Sequence, residues 1–197
     1  MLCEGNSIRS TSRITGCEKR TVGRAILEFG NACETFLDDY MRNLTMKHVE
    51  VDEIWSFVGK KQSRLTVEEK ETRHDIGDVY LWTCLDKETK LVPSYLVGKR
   101  SADNARRLMV DLSKRQRKQN QRPHDSDNHA YQTGEYQRIQ ISTDGFNVYP
   151  EAIDLAFSQY AAHGVLIKEY RNASIAYTPS EMVGTDRRVI SGNINKF

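Results

Sequence analysis

The sequence predicts an α/β domain, a mixed sheet flanked by helices, preceded by a small all-α module. The first 47 residues carry apolar side chains at helical spacing, whereas short β-branched runs begin at His48. From there the elements follow the order β-β-β-α-β-α-β, which is typical of a mixed sheet with helices packed on it. At 197 residues the chain is long enough for one medium domain and a small module.

Residues 7–29 predict two short helices joined at Gly16, within a module spanning 1–30. The predicted core positions are Ile8 and Ile14 on the first helix and Val22, Ile26, Leu27 and Phe29 on the second. A glycine turn before a helix that opens with basic residues is the helix-turn-helix pattern. Its DNA-binding candidates are Lys19, Arg20, Thr21 and Arg24. The alternative is a helical hairpin with a solvated basic face.

The rest of the chain is predicted element by element. A linking helix covers 31–47; strands cover 48–58, 78–85, 91–97, 138–143 and 165–168; helices cover 102–116 and 148–160. Pro93 places the third strand at an edge or a bulge. Residues 114–138 predict a polar insertion with a basic cluster that could contact phosphates, and the pattern dissolves into a polar tail after Tyr170.

Two aspartates in matching settings are the strongest chemical signal. Asp52 lies in the run Val49–Val58, and Asp144 ends the run Ile139–Thr143. A carboxylate at a buried strand costs several kcal/mol unless it meets a cation or a dense set of donors. Two such carboxylates form a minimal oxygen site for Mg²⁺ or Mn²⁺. The alternatives are a strand-end carboxylate held by backbone donors and a Thr-Asp-Gly turn. Glu53 alternates to the other strand face, with Trp55 and Phe57 expected to pack under a helix.

Composition sets the broad class. The formal charge of +2 is nearly neutral, so overall charge does not by itself indicate a nucleic-acid partner. No apolar run is long enough to span a membrane and the N-terminus lacks the apolar core of a signal peptide, so we expect a soluble cytoplasmic protein without membrane association. The four cysteines lack metal-ligand spacing, and reduced thiols are expected.

Several local motifs resemble the DDE transposases of the insertion-sequence-one family. They are Asp52-Glu53-Ile54-Trp55-Ser56-Phe57, Leu96-Val97-Gly98 before Ser101-Ala102-Asp103-Asn104-Ala105, Thr143-Asp144-Gly145, Tyr177-Thr178-Pro179, and Val189-Ile190-Ser191-Gly192-Asn193. The stretch from Leu2-Cys3-Glu4-Gly5 to Thr15-Gly16 also resembles the family's DNA-binding module. The resemblance runs through almost the whole chain apart from the polar insertion.

The resemblance implies an RNase H-like catalytic domain over 48–197, with Asp52 and Asp144 as catalytic metal ligands. It also implies double-stranded DNA partners (terminal repeats and target), a possible homo-oligomer and, in bacteria, association with the nucleoid. Relatives carry a third acid, a glutamate on a helix in a segment like Val-Glu-Arg-Gln-Asn, which this sequence lacks. We therefore expect a truncated copy with an incomplete catalytic domain. Glu151, Glu169 and Glu181 are the possible substitutes.

Two other functions stay open. A DNA-binding protein with an inert core would occupy the terminal repeats and repress transposition. An RNase H-like nuclease would hydrolyse generic DNA or RNA without requiring terminal repeats. DNA encoding the missing glutamate helix next to the gene would favour the transposase.

Overall fold

The computed structural model describes residues 1–117, 138–171, 181–192 and 194. The chain divides into two compact units, Met1–Arg42 and Asn43–Phe197. Among the helices of the described ranges, none is long and apolar enough to cross a membrane.

The first unit consists of a short 3₁₀ turn, Leu2–Glu4, and two helices, α1 (Ile8–Thr15) and α2 (Lys19–Tyr40). Ser7 caps α1 by accepting a hydrogen bond from the Ser10 backbone N–H at 3.1 Å. Gly16 ends α1 with a φ of 73°, a left-handed conformation that glycine adopts without steric cost. Helix α2 continues to Tyr40, so the predicted linking helix over 31–47 is not a separate element.

The core predicted for this unit is largely wrong. Of the six apolar side chains expected inside, Val22 alone is buried; Ile8, Ile14, Ile26, Leu27 and Phe29 are 37–69% exposed. The two helices and their glycine turn are present, but two helices with so little shared core do not establish a DNA-binding helix-turn-helix. Periodicity located the apolar stripe on α2 but could not tell what covers it.

The second unit is built on a six-stranded mixed sheet, which confirms the predicted class. The strands are β1 (His48–Val58), β2 (Gly77–Asp86), β3 (Ser94–Gly98), β4 (Ile139–Thr143), β5 (Ala161–Arg171) and β6 (Glu181–Ser191), in the spatial order β3-β2-β1-β4-β5-β6. The pairs β1–β4 and β4–β5 are parallel, and the other neighbours are antiparallel. The parallel pairs require crossover connections, which helices supply.

Among the described residues, three helices accompany the sheet: α3 (Val67–Thr72), α4 (Ala102–Arg115) and α5 (Tyr149–Phe157). Ser101 caps α4, as its side chain accepts a hydrogen bond from the Asn104 N–H at 3.3 Å. One core joins α4, α5 and one sheet face, and it includes Val49, Val51, Trp82, Cys84, Leu108, Met109, Leu112, Ile141, Tyr149 and Ile153. That packing holds in place β1, which carries Asp52, and the end of β4, after which Asp144 follows.

The structure corrects three details. Residues 181–191 form strand β6 rather than a polar tail, and β5 is longer than the predicted 165–168. Strand β3 begins after Pro93, at the sheet edge, as the proline indicated. Arg115, a residue of the basic cluster predicted at the start of the polar insertion, is buried and donates to Asp111 at 2.7 Å. Most of the predicted insertion, residues 118–137, lies outside the described residues, as does the Tyr177-Thr178-Pro179 motif.

Candidate functional site

Asp52 and Asp144 lie at neighbouring positions of two parallel strands. The β1–β4 register pairs Val49 with Ile141 and Glu50 with Ser142. Continued by two residues, the same register brings Asp52 beside Asp144, just beyond the end of β4. Both side chains line one cleft of about 510 Å³, together with Arg100, Phe146 and Lys168. The fold thus brings together the two acids that the sequence singled out.

Asp144 is held on both of its oxygens. Its Oδ1 accepts the Phe146 backbone N–H at 2.9 Å, as in the turn that its Thr-Asp-Gly setting suggested. Its Oδ2 accepts the Arg100 guanidinium at 3.1 Å. The Asp144 side chain remains 41% exposed, so it reaches the cleft while anchored at its base.

Arg100 connects Asp144 to a buried acid, Glu53. The Arg100 Nε donates to Glu53 Oε2 at 3.2 Å, and its guanidinium lies 3.8 Å from the centre of the Phe146 ring. The Tyr149 hydroxyl donates to the other Glu53 oxygen. The Glu53 side chain is only 3% exposed, so its hydrogen bonds hold Arg100 from the buried side. Arg100 itself remains accessible in the cleft that it lines.

Burial sets the protonation behaviour of this network. Burial raises the pKa of Glu53, and the nearby negative charge of Asp144 adds to the rise, while the Tyr149 and Arg100 hydrogen bonds oppose it. Burial also raises the pKa of Tyr149, and its hydrogen bond to Glu53 acts in the same direction. Tyr149 is therefore a neutral donor at physiological pH.

Asp52 is exposed and lies in a different environment from its neighbour Glu53. Its Oδ1 accepts the Glu53 backbone N–H at 2.8 Å. It also lines an adjoining cleft of about 400 Å³ on the open face of the sheet, with Thr83, Ser142, Leu166 and Lys168. The predicted alternation of Asp52 and Glu53 between the two faces is confirmed.

The aromatic residues farther along β1 are not where the sequence placed them. Trp55 and Phe57 are each 43% exposed rather than packed under a helix. Their ring centroids are 5.8 Å apart, and Lys61 Nζ lies 4.9 Å from the centre of the Trp55 ring. The β1–β2 ladder continues to Val58, beyond the part of the sheet whose residues belong to the core with α4 and α5.

The donor set fits one divalent cation better than two. Asp52 and Asp144 would supply two oxygen ligands to one Mg²⁺ or Mn²⁺, and water would complete the shell. Within the described ranges, no group of three or more Asp, Glu, His or Cys side chains is arranged to hold a metal. Arg100 on Asp144 Oδ2 also competes for one of the ligand positions.

Neither of the two substitute acids whose side chains the structure describes, Glu151 and Glu169, completes the site. Glu151, on α5, pairs with Arg106 at 2.6 Å and is 71% exposed. Glu169 is exposed and lines neither cleft. The Glu181 side chain lies outside the described residues.

A buried polar pair lies directly behind Asp144. Thr143 Oγ1 donates to the Asp144 carbonyl at 2.9 Å and lies 2.9 Å from His163 Nε2. Because the hydroxyl proton is used in the first contact, His163 donates through Nε2, and Nδ1 has no partner among the described residues. Burial lowers the pKa of His163 to about 4, so the ring is neutral at physiological pH.

The DNA-binding candidates lie in the first two turns of α2. Lys19, Arg20, Thr21 and Arg24 are all exposed. Arg20 and Arg24 are four residues apart, so they share one side of the helix. This exposure is consistent with the predicted DNA interface and equally consistent with a solvated helix face.

Sequence reasoning missed Arg100, Tyr149 and the role of Glu53. Arg100 precedes the Ser101 cap, and Tyr149 opens α5, so neither stands in a strand where a charge or hydroxyl attracts attention. Glu53 was visible as an acid in an apolar run. Its partners come from residues 47 and 96 positions away, and only the folded topology reveals them.

No protein-family model matches this chain, and no curated protein matches it. The chemistry of the cleft and the motifs in the sequence are therefore the indications of function.

Proposed function

We propose that this chain is a transposase protein of the insertion-sequence-one type that binds element-end DNA and holds a divalent cation at Asp52 and Asp144. The observation that carries the proposal is the pair of carboxylates, from adjacent parallel strands, that line one cleft. Bound Mg²⁺ or Mn²⁺ would activate a water or a 3′-hydroxyl and neutralise charge on the phosphate.

The sheet order supports an RNase H-like core. A central strand lies between an antiparallel neighbour and a parallel one, in the order β3-β2-β1-β4-β5, with acids on β1 and at the end of β4. This order is compatible with that fold, and it accounts for the Asp52 and Asp144 positions that the family resemblance implies.

The other cleft residues have roles consistent with a phosphodiester substrate. Arg100, fixed by Glu53 and Phe146, orients Asp144 and presents a guanidinium to the cleft. Lys168 adds a second cation to the lining. Guanidinium and ammonium groups bind phosphate oxygens well, and they offset the repulsion that two carboxylates exert on DNA.

A calorimetric titration with Mn²⁺ tests the metal site. The wild type should bind about one equivalent weakly, and Asp52→Ala and Asp144→Ala should each abolish the binding, because one carboxylate is too few ligands for the ion. Asp154→Ala removes an exposed acid from α5 and serves as the matched control. Binding that survives both cleft variants would refute the site.

A second experiment tests DNA binding by α2. Duplexes from the DNA flanking the gene should bind the protein, and Arg20→Ala/Arg24→Ala should weaken that binding and reduce its salt dependence, because two phosphate contacts are lost. The control Lys70→Ala/Arg73→Ala removes the same charge from α3 and its end. Equal losses in the two double variants would indicate general electrostatics rather than a DNA-binding face.

The small number of acids in the cleft favours a second candidate, a DNA-binding repressor with an inert core. The two carboxylates that line the cleft within the described ranges, one of them occupied by Arg100, give too little charge to fix a second cation. We expect the 197-residue chain to bind end DNA and not to join strands. Joining of labelled ends in Mn²⁺ that disappears in Asp52→Ala would instead show that another acid completes the site.

A further inference from the structure

Helix α2 carries an exposed apolar stripe along its C-terminal two-thirds. Its members are Ile26, Phe29, Cys33, Phe36 and Tyr40, which we call the α2 seam. Ile26, Phe29, Phe36 and Tyr40 are 37–69% exposed. Val22, one step earlier on the same stripe, is the buried residue of the helix.

The spacing of the seam is that of a coiled coil. Its members follow one another at intervals of three, four, three and four residues, the a and d positions of a heptad. Such a seam buries its side chains as knobs between those of a second helix with the same repeat. An amphipathic helix derives most of its stability from packing its apolar face against another element. We therefore expect the seam to pack against a partner helix.

We propose that the α2 seam binds the α2 seam of a second copy of this chain, with the two helices antiparallel. A second copy necessarily presents the same repeat over the same length. This proposal does not depend on the function of the cleft, because all the residues involved belong to the first unit, Met1–Arg42.

Small residues flank the seam and permit close approach. The flanking e and g positions from 23 to 32 are Gly23, Ala25, Gly30 and Ala32. A Cβ added at Gly23 or Gly30 would meet nothing within 4 Å, so the space beside the seam is open. No charged side chain at these four positions has to be desolvated when the second helix packs.

Charge along α2 selects the antiparallel orientation. The N-terminal part carries Lys19, Arg20 and Arg24, whereas the acids Glu28, Glu34, Asp38 and Asp39 follow them toward the C-terminus. Lys19 and Asp39 are the charges of this set nearest to the seam, about 60° and 100° around the axis from its centre. Antiparallel pairing brings Lys19 of each copy toward Asp39 of the other, whereas parallel pairing puts each beside its own kind.

The seam and the DNA-binding candidates lie on opposite sides of the helix. At about 100° per residue, Arg20 and Arg24 lie about 160° around the axis from the centre of the seam. A dimer through the seam therefore leaves both basic faces accessible.

Sedimentation equilibrium of the full chain over a concentration series tests the proposal. The wild type should be a dimer, and Phe29→Glu/Phe36→Glu should raise the dissociation constant at least about 100-fold, because each dimer loses four aromatic side chains from its contact. Leu27→Glu is the matched control: Leu27 is 69% exposed on the same helix but lies about 140° from the seam. A monomeric wild type, or equal effects of the seam and control variants, would overturn the proposal.

Disulfide trapping with copper phenanthroline tests the orientation, in a background of Cys3→Ser/Cys17→Ser that removes the two exposed thiols. Antiparallel packing pairs an a position with a d position, and in the register that pairs Ile26 with Phe36, residue 29 lies opposite Cys33 of the other copy. Phe29→Cys together with Cys33 should therefore trap the dimer, whereas Cys33 alone and Phe29→Cys/Cys33→Ser should not. Trapping by either single cysteine would show parallel helices and refute the antiparallel arrangement.

Discussion

Neighbouring residues of β1 lie on opposite faces of the sheet, and the two faces differ in their exposure to solvent. On the face packed by α4 and α5, Val49 and Val51 are nearly inaccessible, and the next residue on that side, Glu53, is enclosed by Tyr149 and Arg100. On the other face, Asp52 is exposed at the edge of two adjoining clefts. One strand therefore supplies a structural acid and a ligand-accessible acid at consecutive positions.

The difference is one of solvation. A carboxylate removed from water requires fixed donors, which Tyr149 and Arg100 provide for Glu53. A carboxylate that is to meet a metal ion must keep open lone pairs, and the open face provides that for Asp52. Stability should thus depend on the covered face and ligand binding on the open one.

The largest expected effect comes from Trp82, which is fully buried on the covered face with ring centroids about 6 Å from Phe146 and Tyr149. Trp82→Ala should lower the free energy of unfolding by about 3–5 kcal/mol, through lost burial and the cavity left behind. Urea denaturation measures this. The control Trp55→Ala removes a 43% exposed indole and should cost much less. Equal losses at the two positions would remove the distinction between packed and open regions.

The hydroxyl that supports Glu53 should come next. Tyr149→Phe keeps the ring and removes the donor, so a buried carboxylate oxygen loses its partner. We expect a loss of about 1.5–3 kcal/mol in the free energy of unfolding. The same chemical change at half-buried Tyr160, which lies outside the α2 seam, is the control. Unchanged stability in Tyr149→Phe would mean that water replaces the hydroxyl and that Glu53 is less enclosed than described.

His163 predicts a dependence of stability on pH. Its pKa is about 4 in the folded chain against an ordinary 6.5, so the unfolded chain takes up the proton first. The contribution of neutral His163 to the free energy of unfolding is complete above pH 6.5 and is lost as the pH falls toward 4. The loss is about 2 kcal/mol between about pH 7 and pH 5. Urea melts across that range measure it. His163→Gln should flatten this part of the profile, and an unchanged slope would assign the dependence to carboxylates.

The smallest effect on stability should be at Asp52. Asp52→Asn keeps the shape of an exposed side chain and should change the free energy of unfolding by less than about 0.5 kcal/mol. The same variant should lose Mn²⁺ binding, because the amide is a poor substitute for a charged oxygen ligand. Thermal melts with and without Mn²⁺ test both statements together. A large loss of stability in the absence of metal would make Asp52 a structural residue like Glu53.

Local patterns predicted most elements because strands and helices carry their own periodicity. The alternation in Val49–Val58 gave β1, Ser101 gave the start of α4, and Pro93 gave the edge position of β3. Strand β6 was missed because Glu181–Ser191 mixes charges with apolar residues and has no clean alternation. The core predicted for the first unit was wrong for a different reason, because periodicity identifies an apolar stripe without identifying what packs against it.

The sequence by itself identified the two acids and the strands that carry them, because each acid is a charged residue within or at the end of an apolar, β-branched run. The burial expected for Asp52 was wrong, since that carboxylate lies on the exposed face of β1. Tertiary structure alone decided that these acids share a cleft, because residues 92 positions apart meet only through the parallel pairing of β1 with β4. It also decided that Arg100 and Tyr149 enclose Glu53 while Asp52 stays open. Contacts of this kind depend on which sheet face the helices cover, and that is a property of the packed whole rather than of any local run of residues.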